Sequence, residues 1–101
     1  MSNKAKILDI AMNLNRIGNL AADDYNNKQK RINIFLDETN SYIESVDKSS
    51  FSHSFKNTFE KFLKEYKILN KERNENSFDS LHWAEKMMTW GNILTHRTKV
   101  I

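Results

Sequence analysis

Between Phe51 and Leu69 the large residues Phe51, Phe55, Phe59, Phe62, Tyr66 and Leu69 recur at steps of four, four, three, four and three. Lys56, Glu60, Lys61, Lys64, Glu65 and Lys67 fill the gaps. A strand changes face at every residue and cannot hide such a pattern, whereas a helix gathers it into one stripe with the charges outside. The spacing predicts a helix that frays near Asn70. Its N-cap is Ser49 or Ser50, at the end of the turn Asp47-Lys48-Ser49-Ser50.

Upstream lie two more series of helical spacing: Ile7, Ile10, Leu14, Ile17, Ala21, and then Ile32, Phe35, Leu36, Thr39, Tyr42, Ile43, Val46. They stay in phase, which suits one helix from Lys4 to Asp47, about 66 Å long. Residues 22–31 oppose this, because they are polar and rich in Asp and Asn, with Tyr25 as the one large apolar group. Two breaks fit. Either Gly18 ends the first helix and Asn19 caps the next, or Asp23 or Asp24 caps a helix running through Tyr25. A break gives four helices. Without one there are three, and the long N-terminal helix has a free half along which two copies would pair.

Downstream, 71–76 is a polar linker, Ser77 caps the last helix and Asp79 sits in its first turn. That helix has a central stripe of Trp83, Met87, Trp90, Leu94 and Ile101, with Gly91 beside it for close helix approach. His96, Arg97 and Lys99 lie where cations complement the helix dipole. The expected fold is all-α: one domain over residues 1–101, an antiparallel helical bundle of four helices (alternatively three) with an aromatic-rich core.

Composition agrees with this picture. Proline is absent and glycine occurs twice, so few residues break helices. The absence of cysteine excludes disulfides, thiolate catalysis and Cys-based zinc sites. Asp9, Asn13, Asn15 and Arg16 interrupt any apolar core of a signal peptide, and no apolar run approaches the roughly 20 residues of a membrane span. A soluble cytoplasmic protein with no membrane partner is expected. The net charge of +3 is thinly spread: the first 50 residues balance, and the excess in the second half is interleaved with glutamate, as on a solvated helix face.

Catalytic chemistry is poorly represented. His82 and Glu85 share a helix face, but in the reverse order of a di-iron Glu-x-x-His pair and in one copy. Ser52-His53-Ser54 places hydroxyls beside an imidazole in sequence, yet helical neighbours point apart. There is no glycine-rich phosphate loop, and no arginine precedes a histidine by four to six residues. The chain reads as non-enzymatic, with no catalytic residue, cofactor or metal expected.

Recognition surfaces are better represented. Trp83, Met87, Trp90 and Leu94 form a stripe of residue types enriched at interfaces, although the same spacing suits a core. Leu8, Ile34, Ile68, Phe78, Ile93 and Val100 fall off the main stripes of their helices. Of these, Ile34, Ile68, Phe78, Ile93 and Val100 are candidate interface residues. They point to a protein–protein interaction or regulatory module acting through apolar helix faces, most simply as a homodimer. The alternative is a small basic nucleic-acid-binding regulator, with Lys30, Arg31, Arg97 and Lys99 as phosphate contacts and Lys28 nearby.

Overall fold

The computed structural model describes residues 2–101. It contains four α-helices: α1 (Asn3–Asp24), α2 (Gln29–Ser45), α3 (His53–Glu72) and α4 (Ser80–Arg97). Short 3-10 turns occupy Lys48–Ser50 and Thr98–Val100. The four-helix bundle anticipated from the sequence is therefore the fold, and the single long N-terminal helix is not formed.

Three of the helices start where a side chain satisfies the first free amides. Ser2 accepts from the Ala5 N–H at 3.1 Å, and Ser52 from the Phe55 N–H at 3.1 Å. Asp79 accepts from the N–H groups of Leu81 and His82 at 3.1 and 3.2 Å. The caps of α3 and α4 thus lie two or three residues beyond the positions read from sequence, Ser49 or Ser50 and Ser77. The reason at α3 is local competition. Asp47 takes the Ser49 N–H and hydroxyl at 3.1 and 2.6 Å, and the Ser50 hydroxyl donates to the Asp47 carbonyl at 2.9 Å. Those serines are thereby used up within their own turn. At its other end α3 continues past Asn70 to Glu72.

The break between α1 and α2 falls at residues 25–28, not at Gly18. Asp24 sits beside it in a different role from the predicted N-cap. Its carboxylate accepts from the Asn27 N–H at 3.3 Å and from the Asn27 side-chain amide at 2.7 Å, closing the turn after α1. The helix that follows has no side-chain cap at Lys28.

Gly18 is a packing residue. A Cβ there would lie 2.8 Å from the Ala84 carbonyl oxygen, and one at Gly91 would lie 2.9 Å from the Ala11 carbonyl oxygen. Two glycines let antiparallel α1 and α4 approach backbone to backbone, so Gly91 has the role expected of it. Against this seam α3 stands off on its aromatic side chains. Phe51 packs on Phe55 with ring centroids 4.9 Å apart, Phe59 on Phe62 at 5.7 Å, and Phe62 on Trp90 at 5.8 Å. Two directional bonds fix it: the Trp83 indole Nε1 donates to the Leu69 carbonyl at 2.8 Å, and the Tyr66 hydroxyl donates to Asn40 Oδ1 at 3.0 Å. Burial pushes the Tyr66 phenol up to about 12.

The predicted stripes are the core. Ile7, Ile10, Leu14, Ile17 and Ala21 are buried, as are Phe51, Phe55, Phe59, Phe62, Tyr66 and Leu69. No helix among the described residues is long and apolar enough to cross a membrane. Successive antiparallel helices define two ends of the bundle. One gathers the starts of α1 and α3 with the finishes of α2 and α4; the other gathers the opposite termini.

Candidate functional site

The sequence-derived candidates are dispersed by the fold. Trp83, Met87 and Leu94 are fully buried in the chain's own core, and Trp90 is half-buried against Phe62. As a stripe for an outside partner they are therefore unavailable, because they already fill the space between α4 and its neighbours. Phe78 is half-buried, tilted against Tyr25 at 4.9 Å and edge to face with Trp83 at 6.0 Å. Ile93 is half-buried as well. Ile34, Ile68 and Val100 are 49%, 50% and 45% exposed, on α2, α3 and the last 3-10 turn respectively. Lys30 and Arg31 belong to the start of α2, Arg97 to the finish of α4 and Lys99 to the 3-10 turn after it, so the two pairs sit at opposite ends of a bundle 38 Å long. Arg31 instead shares a groove of about 250 Å³ with Arg16, whose guanidinium lies 5.5 Å over the Phe35 ring.

The end of the bundle holding the finish of α1 carries a larger cleft, of about 480 Å³. It is lined by Tyr25 and Asn26 after α1, Gln29 and Asn33 of α2, Asn70 of α3, and Arg73, Asn74, Glu75 and Phe78 of the α3–α4 connection. Its volume lies within the range of about 300–1,000 Å³ typical of ligand pockets. The turn over residues 25–28 supplies one wall, and the extension of α3 past Asn70 supplies the other.

Arg73 is the anchor of this cleft. Its Nε–H donates to the Tyr25 hydroxyl at 2.8 Å. Its guanidinium lies 5.7 Å from the Tyr25 ring centroid and 5.6 Å from that of Trp83, within cation–π range of both. Tyr25 and Trp83 are themselves edge to face at 5.8 Å. The Nε bond and the two aromatic faces fix the place of the guanidinium. Among the described residues the single ion pair joins Lys28 to Asp23, at 3.2 Å, so Arg73 has no carboxylate partner. Both of its Nη groups remain without a protein acceptor among these residues.

The amides around it are equally free. The side chains of Asn26, Gln29, Asn33 and Asn74 are exposed and make no hydrogen bond to protein among the described residues, as holds also for the exposed Asn57 and Asn92, whereas Asn3, Asn27 and Asn40 are bonded within the chain. Sequence reading missed this site. Most of its residues lie in the polar stretch 22–31 and the linker 71–76, which only the break at residues 25–28 brings together, and of the candidate residues named from the sequence only Phe78 lines it. One signal was available: six Asn or Gln side chains between 26 and 76 flank the breaks rather than the helix middles.

No family model, curated protein or solved structure matches the chain.

Proposed function

We propose that the chain is a non-enzymatic recognition module whose binding site is the cleft around Arg73. The observation that carries this reading is a guanidinium oriented by Tyr25 and Trp83 and left without a carboxylate. Its neighbours are mostly amides, with the Tyr25 phenol, the Phe78 ring and one carboxylate, Glu75. Arginine does not give up its proton at physiological pH and amides do not titrate, so such groups are suited to holding a ligand rather than to moving protons. A planar fork with both Nη groups open matches an anionic group with two oxygens. The partner is then held by an acidic group at the end of the bundle rather than by an apolar helix face.

Acetate is the simplest probe. Titrated into isotope-labelled protein, it should shift the Arg73 Nε–H resonance saturably, and Arg73→Gln should abolish saturable shifts at the neighbouring Asn side chains. An Arg73 resonance that stays fixed throughout the titration contradicts the reading.

Self-association is a second reading, favoured by Ile34, Ile68 and Val100, each about half exposed although its own helix or turn already contributes to the core. They stand on three different elements, α2, α3 and the last 3-10 turn. Sedimentation equilibrium tests this: a dimer weakened by Ile34→Glu or Ile68→Glu supports it, and a strictly monomeric chain removes it.

A further inference from the structure

We infer that the ligand of the Arg73 cleft is a peptide carboxylate, either a free C-terminus or an acidic side chain. The inference rests on the binding-module reading above and adds the chemical class of the partner. Three features of the lining select it.

The first is charge. A single guanidinium faces the cleft, and Glu75 on the same lining opposes a second negative charge. One cation beside one anion suits a monoanion better than a phosphate, which carries up to two charges and is ordinarily met by several cations or by a row of backbone amides.

The second is the mix of donors and acceptors. Phosphate oxygens accept only. The cleft instead offers Asn26, Gln29, Asn33 and Asn74, each with a carbonyl oxygen as well as an NH₂ group. A ligand that merely accepts would use only the NH₂ half of these exposed amides and leave their carbonyl oxygens to water. A peptide backbone alternates N–H and C=O and answers both halves of each amide.

The third is the apolar floor. Tyr25 and Phe78 line the cleft, 4.9 Å apart at their centroids, and give a side chain of the bound peptide an aromatic surface to pack on. Arg73 then fixes the carboxylate, the amides read the adjoining backbone, and the aromatic pair takes the neighbouring side chain.

The test uses the full labelled chain and four probes: an acetylated alanine tripeptide with a free C-terminus, the same peptide amidated, an amidated tripeptide with a central glutamate, and inorganic phosphate. Shifts of the Arg73 Nε–H and of the Asn26, Asn33 and Asn74 side-chain amides are followed. At least one carboxylate-bearing peptide should bind saturably, and about tenfold or more tighter than the neutral peptide, as loss of a charge-assisted pair implies. The tighter of the two identifies terminus or side chain as the source. Arg73→Gln should remove that preference. If this variant loses helicity, Asn33→Ala, an exposed position on α2, should weaken the peptide several-fold with the fold intact. Equal binding of the neutral peptide, or tighter binding of phosphate than of both carboxylates, overturns the peptide-carboxylate inference while the cleft remains a binding site. No response at the cleft to any of the four overturns both.

Discussion

The two ends of this bundle use the same residue types for opposite purposes. At the end holding the start of α1, polar side chains are spent on the fold. Asn3 donates to the Asp47 carbonyl at 2.8 Å and accepts from the Asp47 N–H at 3.1 Å. Lys6 donates to the Ser45 carbonyl at 2.8 Å, and the Ser52 N–H donates to the Ile101 carbonyl at 2.8 Å. Ser54 receives a bond from Arg97. At the far end Asn27 closes its own turn through Asp24, but Asn26, Gln29, Asn33 and Asn74 make no bond to another segment, and Arg73 is held by its bond to Tyr25 with its two Nη groups open. A polar group paired within the chain stabilises it, whereas one left toward water is free to pair with something else at little cost to the fold. On the function proposed above, the laced end serves stability and the open end is the one left for recognition.

The largest effect should fall on both ends alike. Phe59 lies at the middle of the buried stripe of α3 and is 1% exposed. Phe59→Ala should cost about 3–5 kcal/mol, the range for a buried phenylalanine. Hydrogen exchange should then lose protection at both ends together. Loss at one end alone would break the comparison, because the two ends would not share one cooperative core.

Smaller effects separate the two halves through pH. Tyr66 belongs to the α2–α3 contact one turn from the cleft residue Asn70, and its phenol is raised by burial from 10.0 to about 12. The neutral form is the one the fold favours. Its contribution is therefore complete below pH 10 and is lost as pH rises from 10 through about 12. Tyr66→Phe should flatten that alkaline fall in Tm and cost about 1 kcal/mol at neutral pH for the missing bond to Asn40. Asp47 marks the laced end. Hydrogen bonds from the Ser49 hydroxyl and then its backbone N–H hold the Asp47 carboxyl below its usual 3.8, with Lys6 adding to the effect. Its contribution is present above 3.8 and lost as pH falls through the lowered value. Asp47→Asn should flatten the acid branch and leave the alkaline one unchanged.

How much of this was legible in the sequence differs between fold and site. The stripes around Leu14, Phe59 and Trp83 are periodic, and periodicity survives in one dimension, so the helices and core followed from it. The caps shifted because serines and aspartates compete for the same amides within a few residues, as Asp47 and Ser49 do with each other. Gly18 was offered as a helix stop because glycine often is one. Its actual role depends on Ala84, a residue brought beside it by the fold. The cleft left a single sign in the sequence, the amides that flank the breaks. Tyr25, Arg73 and Trp83 are far apart in the chain, and each has an ordinary local reading: a loop tyrosine, a linker arginine and a core tryptophan. Their stacking is purely tertiary. Ile34 and Ile68 were read as lying off the stripes of two different helices, and the structure places them on α2 and α3, each about half exposed.

The central claim is that the open end recognises and the laced end stabilises. The most direct test is the thermal midpoint of Asn3→Ala and Asn33→Ala, each with and without the carboxylate-bearing tripeptide. Asn3→Ala should lower the midpoint of the free protein, by the equivalent of about 1 kcal/mol, and keep the full upward shift on adding peptide. Asn33→Ala should leave the free midpoint within about 0.5 kcal/mol of wild type and reduce the peptide-induced shift. The opposite pattern, with Asn33 needed for stability and Asn3 for the peptide response, would contradict the account.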